Sequence, residues 1–222
     1  MADLAGPMAA VAAAGGFIAA LPVAATAHAA PADGPVRLPP RWWSNNTPHL
    51  LTAIMAVTTA VIAYAVCLRV GWRISAPGYW LFSVLGVGLS YIDLRRHRLP
   101  HAMVGATWLT CAVLFTIESI NDGRFTALAQ AICSGLAVSA ILLLVALVAP
   151  GQLGLGDVHF AGATAFTLGW LGWQVSATAI LTALVAQWVL ALVTVARSRD
   201  RSTKLPFGPV LFGASILATI FA

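Results

Sequence analysis

The sequence predicts an all-α, polytopic membrane protein with seven to eight transmembrane helices. Of its 222 residues, 60% are hydrophobic and only 9% are charged, and the mean hydropathy is +0.89. A soluble domain carries about 25% charged residues, so this chain lacks the polar side chains that coat a globule in water. Apolar runs of about 20 residues, the length with which a helix crosses a bilayer, recur along it. This composition argues against a soluble enzyme, a disordered tail and a nucleic-acid-binding protein.

Seven apolar segments come close to the length of a membrane span. They lie at about 50–69, 77–93, 101–119, 126–149, 157–171, 174–196 and 206–222. The fifth segment is short and rich in Gly and Ala, so it is the weakest of the seven as a full span.

An eighth apolar segment lies near the N-terminus, at about 8–27. Residues 27–30 resemble a signal-peptidase site, but no Lys or Arg precedes the apolar run and Asp3 does, which is atypical of a secretory signal. We therefore expect residues 1–30 to be retained as an N-terminal hydrophobic helix, with a cleaved signal as the alternative. The intact mass of the purified protein decides between the two.

Residues 31–48 are rich in Pro and polar side chains and are interpreted as a linker. Trp42 and Trp43 within it are expected at headgroup depth, where tryptophans are enriched. Residues 49–222 then form the membrane domain.

Basic residues divide unequally between alternate loops, which predicts the orientation of the helices. If the loop after 77–93 is cytoplasmic, nine basic residues lie on that side and three on the other. The cytoplasmic set is Arg37, Arg41, Arg95, Arg96, Arg98, Arg197, Arg199, Arg201 and Lys204, and the opposite set is Arg69, Arg73 and Arg124. Because cytoplasmic loops carry the excess of Lys and Arg, we expect a multi-pass protein of the inner or plasma membrane in this orientation.

The chain offers no pattern typical of a metal or disulfide framework. Cys67, Cys111 and Cys133 stand singly in apolar runs, and the few His and Asp residues lack the spacing of metal ligands. We therefore expect a site without metal or cofactor.

Two of the seven acidic residues, Asp93 and Asp157, join long apolar helices to the predicted cytoplasmic loops. Because two spans separate them, they return to the same membrane face. An ionisable group at a span boundary is costly and is therefore a functional hypothesis by default. The alternatives are local: Asp93 pairs with Arg96 or His97, and Asp157 caps the start of a helix.

Three short motifs surround these acids. Leu99 and Pro100 lie six and seven positions after Asp93, Asp157 ends a GxGD sequence that contains Gly154 and Gly156, and a PFGP segment comprises Pro206, Phe207, Gly208 and Pro209. In this order and at these separations they resemble the type IV prepilin peptidase family of membrane aspartic proteases, over roughly residues 50–222. The resemblance implies that Asp93 and Asp157 are the catalytic pair and that the substrate is a prepilin or pseudopilin.

The sequence departs from this family at two positions. The family usually has Lys two residues after the GxGD aspartate, where this chain has His159, and often an acidic or amide residue after Leu-Pro, where it has His101. The cysteine-paired insert that the longer members carry for N-methylation is missing from this sequence, so we expect no methyltransferase activity.

Two close carboxyls that share one proton can activate water and polarise a peptide carbonyl, without a metal or a covalent intermediate.

Other interpretations of the function stay open. One is a GxGD intramembrane protease of the presenilin or signal-peptide-peptidase kind, although Ile92 replaces the Tyr that precedes its first Asp and PFGP replaces its Pro-Ala-Leu segment. Others are a transporter or assembly subunit with an ion relay and a degenerate peptidase. A substrate helix could pack on Gly135, Ala161 and Gly162, as could the helices of the enzyme itself.

Overall fold

The described part of the chain folds into eight α-helices, each of which coincides with one predicted apolar segment. In the computed structural model, the described residues are 5–31, 34, 36, 39, 47–148, 153–198 and 205–222. The helices are α1 (Ala5–His28), α2 (His49–Val70), α3 (Ala76–Arg96), α4 (His101–Asp122), α5 (Phe125–Val148), α6 (Leu155–Gly169), α7 (Trp173–Ser198) and α8 (Gly208–Phe221). This confirms the all-α, polytopic fold. Trp42 and Trp43 lie outside the described residues.

Five of these helices, namely α1, α2, α4, α5 and α7, are long and apolar enough to cross a membrane. The other three differ from full apolar spans. α6 has 15 residues and α8 has 14, so they are about 22 Å and 21 Å long against a hydrocarbon core of about 30 Å. α3 has 21 residues but is less apolar, because it carries small and polar side chains and ends in Arg95 and Arg96.

The two helices that carry Asp93 and Asp157 form the centre of the bundle. α3 contacts α1, α2, α4 and α8, whereas α6 contacts α4, α5, α7 and α8. The hydroxyl of Tyr79 on α3 donates a hydrogen bond of 2.7 Å to the carbonyl oxygen of Thr167 on α6. Burial of this tyrosine with its polar tip satisfied fixes the two helices against each other.

Gly135 and Gly162 pack α5 closely against α6. A Cβ at Gly135 would lie 2.9 Å from the Cβ of Phe166 and 3.3 Å from the carbonyl oxygen of Gly162. Ala161 is fully buried. These small residues therefore serve packing within the protein, as the alternative interpretation of the sequence held, and leave no room there for a substrate helix.

The chain direction separates two ends of the bundle. α3 begins beside Ser75 and ends at Arg96, while α4 runs back from His101 to Asp122. The ends of α3, α5 and α7 and the starts of α4, α6 and α8 consequently share one end, called here the aspartate end. Arg69, Arg73 and Arg124 lie at the other end, called here the arginine end.

Candidate active site

Asp93 lies in the last turn of α3, where its side chain is buried and only 3% exposed. The helix stops at His97, which adopts the left-handed conformation with φ 50° and ψ 44° and whose N–H donates to the carbonyl oxygen of Asp93 at 2.9 Å. Histidine is among the residues that tolerate this conformation better than most. His97 thereby ends α3 one turn after Asp93 and turns the chain into Leu99 and Pro100.

The carboxylate of Asp93 is bound by the start of α8. The N–H of Gly208 donates a hydrogen bond of 2.7 Å to Asp93 Oδ2. The first N–H groups of a helix have no partner inside the helix and attract a negative charge, so this contact is favourable on two counts. Asp93 is therefore held by the PFGP segment, and among the described residues no ion pair joins it to Arg96 or His97, the partners of the alternative interpretation.

Asp157 lies in the first turn of α6 and is half-buried. Its Oδ2 accepts a hydrogen bond of 3.2 Å from the N–H of Gly154, the residue that precedes the helix. Asp157 thus caps the helix start, as the local interpretation predicted. The same carboxyl also borders an open cavity of about 550 Å³, so capping leaves it accessible from the aspartate end.

Leu99 joins the three motifs. It is only 5% exposed, and a Cβ at Gly156 would lie 3.1 Å from its carbonyl oxygen. A Cβ at Gly208 would lie 3.3 Å from Leu99 Cδ2 and 3.0 Å from Asp93 Oδ2. Glycine thus allows a close approach on both sides of this leucine, because a Cβ at either position would force its neighbours to shift by a few tenths of an ångström.

The structure therefore brings Asp93 and Asp157 to one place. Leu99 lies between them, because it packs against Gly208 beside Asp93 and against Gly156, the residue that precedes Asp157. Asp93 lies in the last turn of α3 and Asp157 in the first turn of α6, and both of these helices pack against α4 and α8. Such an arrangement, with one carboxyl buried and one at the edge of a cavity, can share a proton and activate water.

The other predicted residues surround this pair. Pro100 precedes α4 and is buried, Phe207 precedes α8 and belongs to the hydrophobic core, and Pro209 occupies the first turn of α8. Pro206 is half-buried, next to Leu205, whose carbonyl oxygen accepts a 3.5 Å hydrogen bond from Gln187 of α7. The PFGP segment is therefore tied both to Asp93 and to α7.

His159 and His101, the two departures from the family pattern, contact each other. Their Nδ1 atoms are 3.4 Å apart and their ring centroids 5.7 Å apart, and both side chains are exposed. His101 lines the cavity, and His159 does not. His159 therefore lies next to the site rather than between the two aspartates.

Two arginines, at the end of α3 and in the turn after it, make contacts that the sequence did not reveal. Arg96 and Arg98 line the cavity together with His97, and Arg98 donates hydrogen bonds to the carbonyl oxygens of Gly34 at 2.6 Å and Pro31 at 3.3 Å. The chain after α1 is thereby fastened to the aspartate end. The clustering of arginines close to Asp93 was the one sequence signal for these contacts, and it did not identify the partners of the arginines.

Within the described ranges, no three His, Cys, Asp or Glu side chains are arranged to hold a metal ion. Cys67, Cys111 and Cys133 are free thiols.

The model of the type IV leader peptidase family matches residues 79–222, which contain both aspartates and all three motifs. The match covers more than half of the chain, so the protein belongs to the type IV leader peptidase family and has the overall character of a peptidase. No curated protein and no solved structure matches the chain.

Proposed function

We propose that this protein is a membrane aspartic endopeptidase that removes the leader peptide of type IV prepilin or pseudopilin precursors at the cytoplasmic membrane face. The observation that carries the proposal is the convergence of Asp93 and Asp157 around Leu99, at one end of a bundle whose family is that of the leader peptidases. The catalytic pair is Asp93 and Asp157, and the reaction uses no cofactor.

In this mechanism the two carboxyls hold one proton between them, because two like charges at short distance do not both ionise at low cost. The ionised carboxyl takes a proton from the attacking water while the protonated one donates to the oxygen of the scissile carbonyl, which gives a gem-diol. The first carboxyl then passes its proton to the amide nitrogen as the C–N bond breaks, and the second takes a proton back from one hydroxyl, so the pair returns to its starting state. Their titration is a property of the pair rather than of either residue. The N–H of Gly208 holds Asp93 in place during these steps.

The half-open cavity gives the substrate access to this pair. Its wall contains Leu99, Pro100 and Leu155 beside the carboxyl of Asp157. A leader that joins the helix of a single-pass precursor would arrive at this end of the bundle with its scissile bond near the membrane surface. The position of both acids at helix ends suits such a cut better than a cut in the middle of the membrane.

Co-expression with a candidate pilin precursor tests the proposal, with leader removal read as a gel-mobility shift. Asp93→Asn and Asp157→Asn keep the size of each side chain but can neither accept the water proton nor share one. We expect each to abolish cleavage, and the double variant to lose no more activity than either single variant.

Asp122→Asn is the matched control, because this acid is exposed at the arginine end. It should cleave like the wild type, and all variants should remain inserted and folded. Substantial cleavage by Asp157→Asn would refute the aspartic mechanism and favour an ion relay or a scaffold. Chelators should have no effect, and cleavage that only a chelator stops would indicate a metal site at His97, His101 or His159.

A further inference from the structure

The arginine end of the bundle carries a cluster of three basic side chains around one cavity. This cavity has a volume of about 220 Å³ and is lined by Arg69, Arg73, Arg124 and Ser75, among others. The guanidinium groups of Arg69 and Arg73 make no hydrogen bond or ion pair with any other described residue. Two guanidinium groups at one cavity with no partner are an arrangement that attracts an anion with several acceptor oxygens.

The third arginine differs, because its charge is already balanced. Arg124 forms an ion pair of 2.7 Å with the buried Glu118, and its guanidinium lies 4.8 Å from the centre of the Trp170 ring. Arg124 therefore forms a fixed wall of the cavity, and Arg69 and Arg73 supply the uncompensated charge. The exposed Asp122 lines a neighbouring cavity together with Arg73 but forms no ion pair with it.

The neighbouring cavity is larger and mostly apolar. It has a volume of about 680 Å³, within the range of small-molecule sites, and lies between α1, α2 and α3. Its walls include the apolar side chains of Val11, Ala12, Ala63, Val66 and Trp80. The indole of Trp80 donates a 3.0 Å hydrogen bond to the carbonyl oxygen of Ala12, which keeps the polar atom of this wall satisfied.

Arg73 lines both cavities, so the basic cluster and the apolar cavity adjoin. Trp72, beside it, is 65% exposed and lines the mouth of the apolar cavity. An exposed tryptophan between two arginines at the end of membrane helices is typical of the depth of the lipid headgroups. The apolar cavity is suited to an acyl chain, and the unpartnered guanidinium groups beside it are suited to the phosphate of a phospholipid.

We infer that the arginine end binds one anionic phospholipid, whose phosphate lies on Arg69 and Arg73 and whose acyl chain fills the cavity between α1, α2 and α3. The inference uses none of the residues of the proposed active site and does not depend on peptidase activity. The lipid would also join α1 to the rest of the bundle, since Val11 and Ala12 of that helix form one wall of the cavity.

Native mass spectrometry of the full chain purified in mild detergent tests this inference, with added phosphatidylglycerol or phosphatidylcholine of identical acyl chains. We expect the wild type to retain one phosphatidylglycerol with about tenfold or greater preference. Arg69→Gln with Arg73→Gln should remove the preference. Ala12→Leu, which fills the cavity without a change of charge, should lower retention of both lipids. Arg197→Gln, at the aspartate end, is the matched control and should behave like the wild type.

Thermal unfolding separates a bound lipid from a bound ion. Phosphatidylglycerol should raise the melting temperature of the wild type and leave that of the Arg69→Gln/Arg73→Gln variant unchanged, while inorganic phosphate should raise neither. Equal retention of the two lipids by the wild type would overturn the inference. Unchanged retention by the double variant or by Ala12→Leu would overturn it as well, and stabilisation by inorganic phosphate alone would mean a site for free anions.

Discussion

The N–H of Gly208 donates a 2.7 Å hydrogen bond to the carboxylate of Asp93, across 115 positions of sequence. This bond explains why a PFGP segment accompanies the two aspartates. Its glycine provides both the donor and the space, because a Cβ at position 208 would lie 3.0 Å from the oxygen that accepts the bond. The position of one proposed catalytic carboxyl thus depends on the first turn of the last helix.

The first prediction follows from this contact. Gly208→Ala places a methyl group against Asp93 and against Leu99, so the carboxylate must move or lose its donor. We expect leader cleavage to fall by roughly threefold to tenfold, because the required shift of a few tenths of an ångström is smaller than the displacement of about 1 Å that costs about a hundredfold. The measurement is the initial rate of cleavage of a pilin precursor by purified enzyme.

Gly213→Ala is the control for this variant, because it lies in the same helix and nothing is within 4 Å of its Cβ position. It should retain full activity and gain slightly in stability, since Ala is the better helix former. Wild-type rates for Gly208→Ala would show that the Gly208–Asp93 contact does not matter for catalysis.

The second prediction concerns His101 and His159, which lie side by side where the family pattern has an acidic or amide residue and a lysine. Their Nδ1 atoms are 3.4 Å apart, so the two departures occupy one contact. We expect His159→Lys to retain or raise activity and His101→Glu with His159→Lys to be at least as active as the wild type. The effects of the two substitutions on the melting temperature should not be additive, as for residues in contact.

Because both histidines are exposed, the new ion pair should contribute only about 0.2–1 kcal/mol. A double-mutant cycle on cleavage rate and melting temperature measures the coupling. Loss of cleavage in His159→Lys, with folding intact, would instead give the imidazole of His159 a direct role in the reaction.

Hydropathy and charge predicted most of the fold but only part of the site. All eight apolar segments form helices, because a helix satisfies every backbone hydrogen bond within its own segment where no water is present. This property depends only on the local composition of each segment. The two aspartates stood out because charges are rare in such segments. The residues that hold the aspartates could not be predicted in this way, because the bond from Gly208 to Asp93 and the contact of Gly156 with Leu99 join distant parts of the chain.

Glu118 is a second acidic residue whose partners could not be predicted from the sequence. Glu118 lies four positions before the end of α4 at Asp122. The structure buries it completely, with a hydrogen bond of 2.6 Å from the N–H of Ser75 and an ion pair with Arg124. Nothing local to Glu118 indicates the turn before α3 as a partner, because Ser75 precedes it by 43 positions.

The third prediction tests this buried pair. Glu118→Gln keeps the shape of the side chain but leaves Arg124 without its counter-charge, and the broken pair should destabilise the protein. Arg124 is 31% exposed and can be partly hydrated, so the cost should be about 1–3 kcal/mol rather than that of a fully buried pair.

Melting temperatures in detergent measure this effect, and Asp122→Asn is the control because it neutralises an exposed acid four positions away. We expect a clear decrease for Glu118→Gln, none for Asp122→Asn, and a cleavage rate at low temperature that neither variant changes. Equal melting temperatures for wild type and Glu118→Gln would mean that the pair contributes nothing net.

The last prediction is the orientation in the membrane, on which the proposed site depends. Reporter fusions after Arg98 and after Arg201 should both report the cytoplasm, and a fusion after Arg124 should report the opposite side. The physical reason is the nine-to-three distribution of basic residues, because positively charged loops are retained on the cytoplasmic side. Arg98 follows Asp93 by five positions and Arg201 precedes Gly208 by seven, so these two fusions lie next to the two segments that meet at Asp93 and Gly208. If the two fusions reported opposite sides of the membrane, Asp93 and Asp157 could not lie on one face, and the proposed active site would be wrong. If both fusions reported the side opposite the cytoplasm, Asp93 and Asp157 would still share one membrane face, but the proposed cleavage would take place on that opposite side. In that case Arg95→Gln with Arg96→Gln should leave the orientation of the protein in the membrane unchanged.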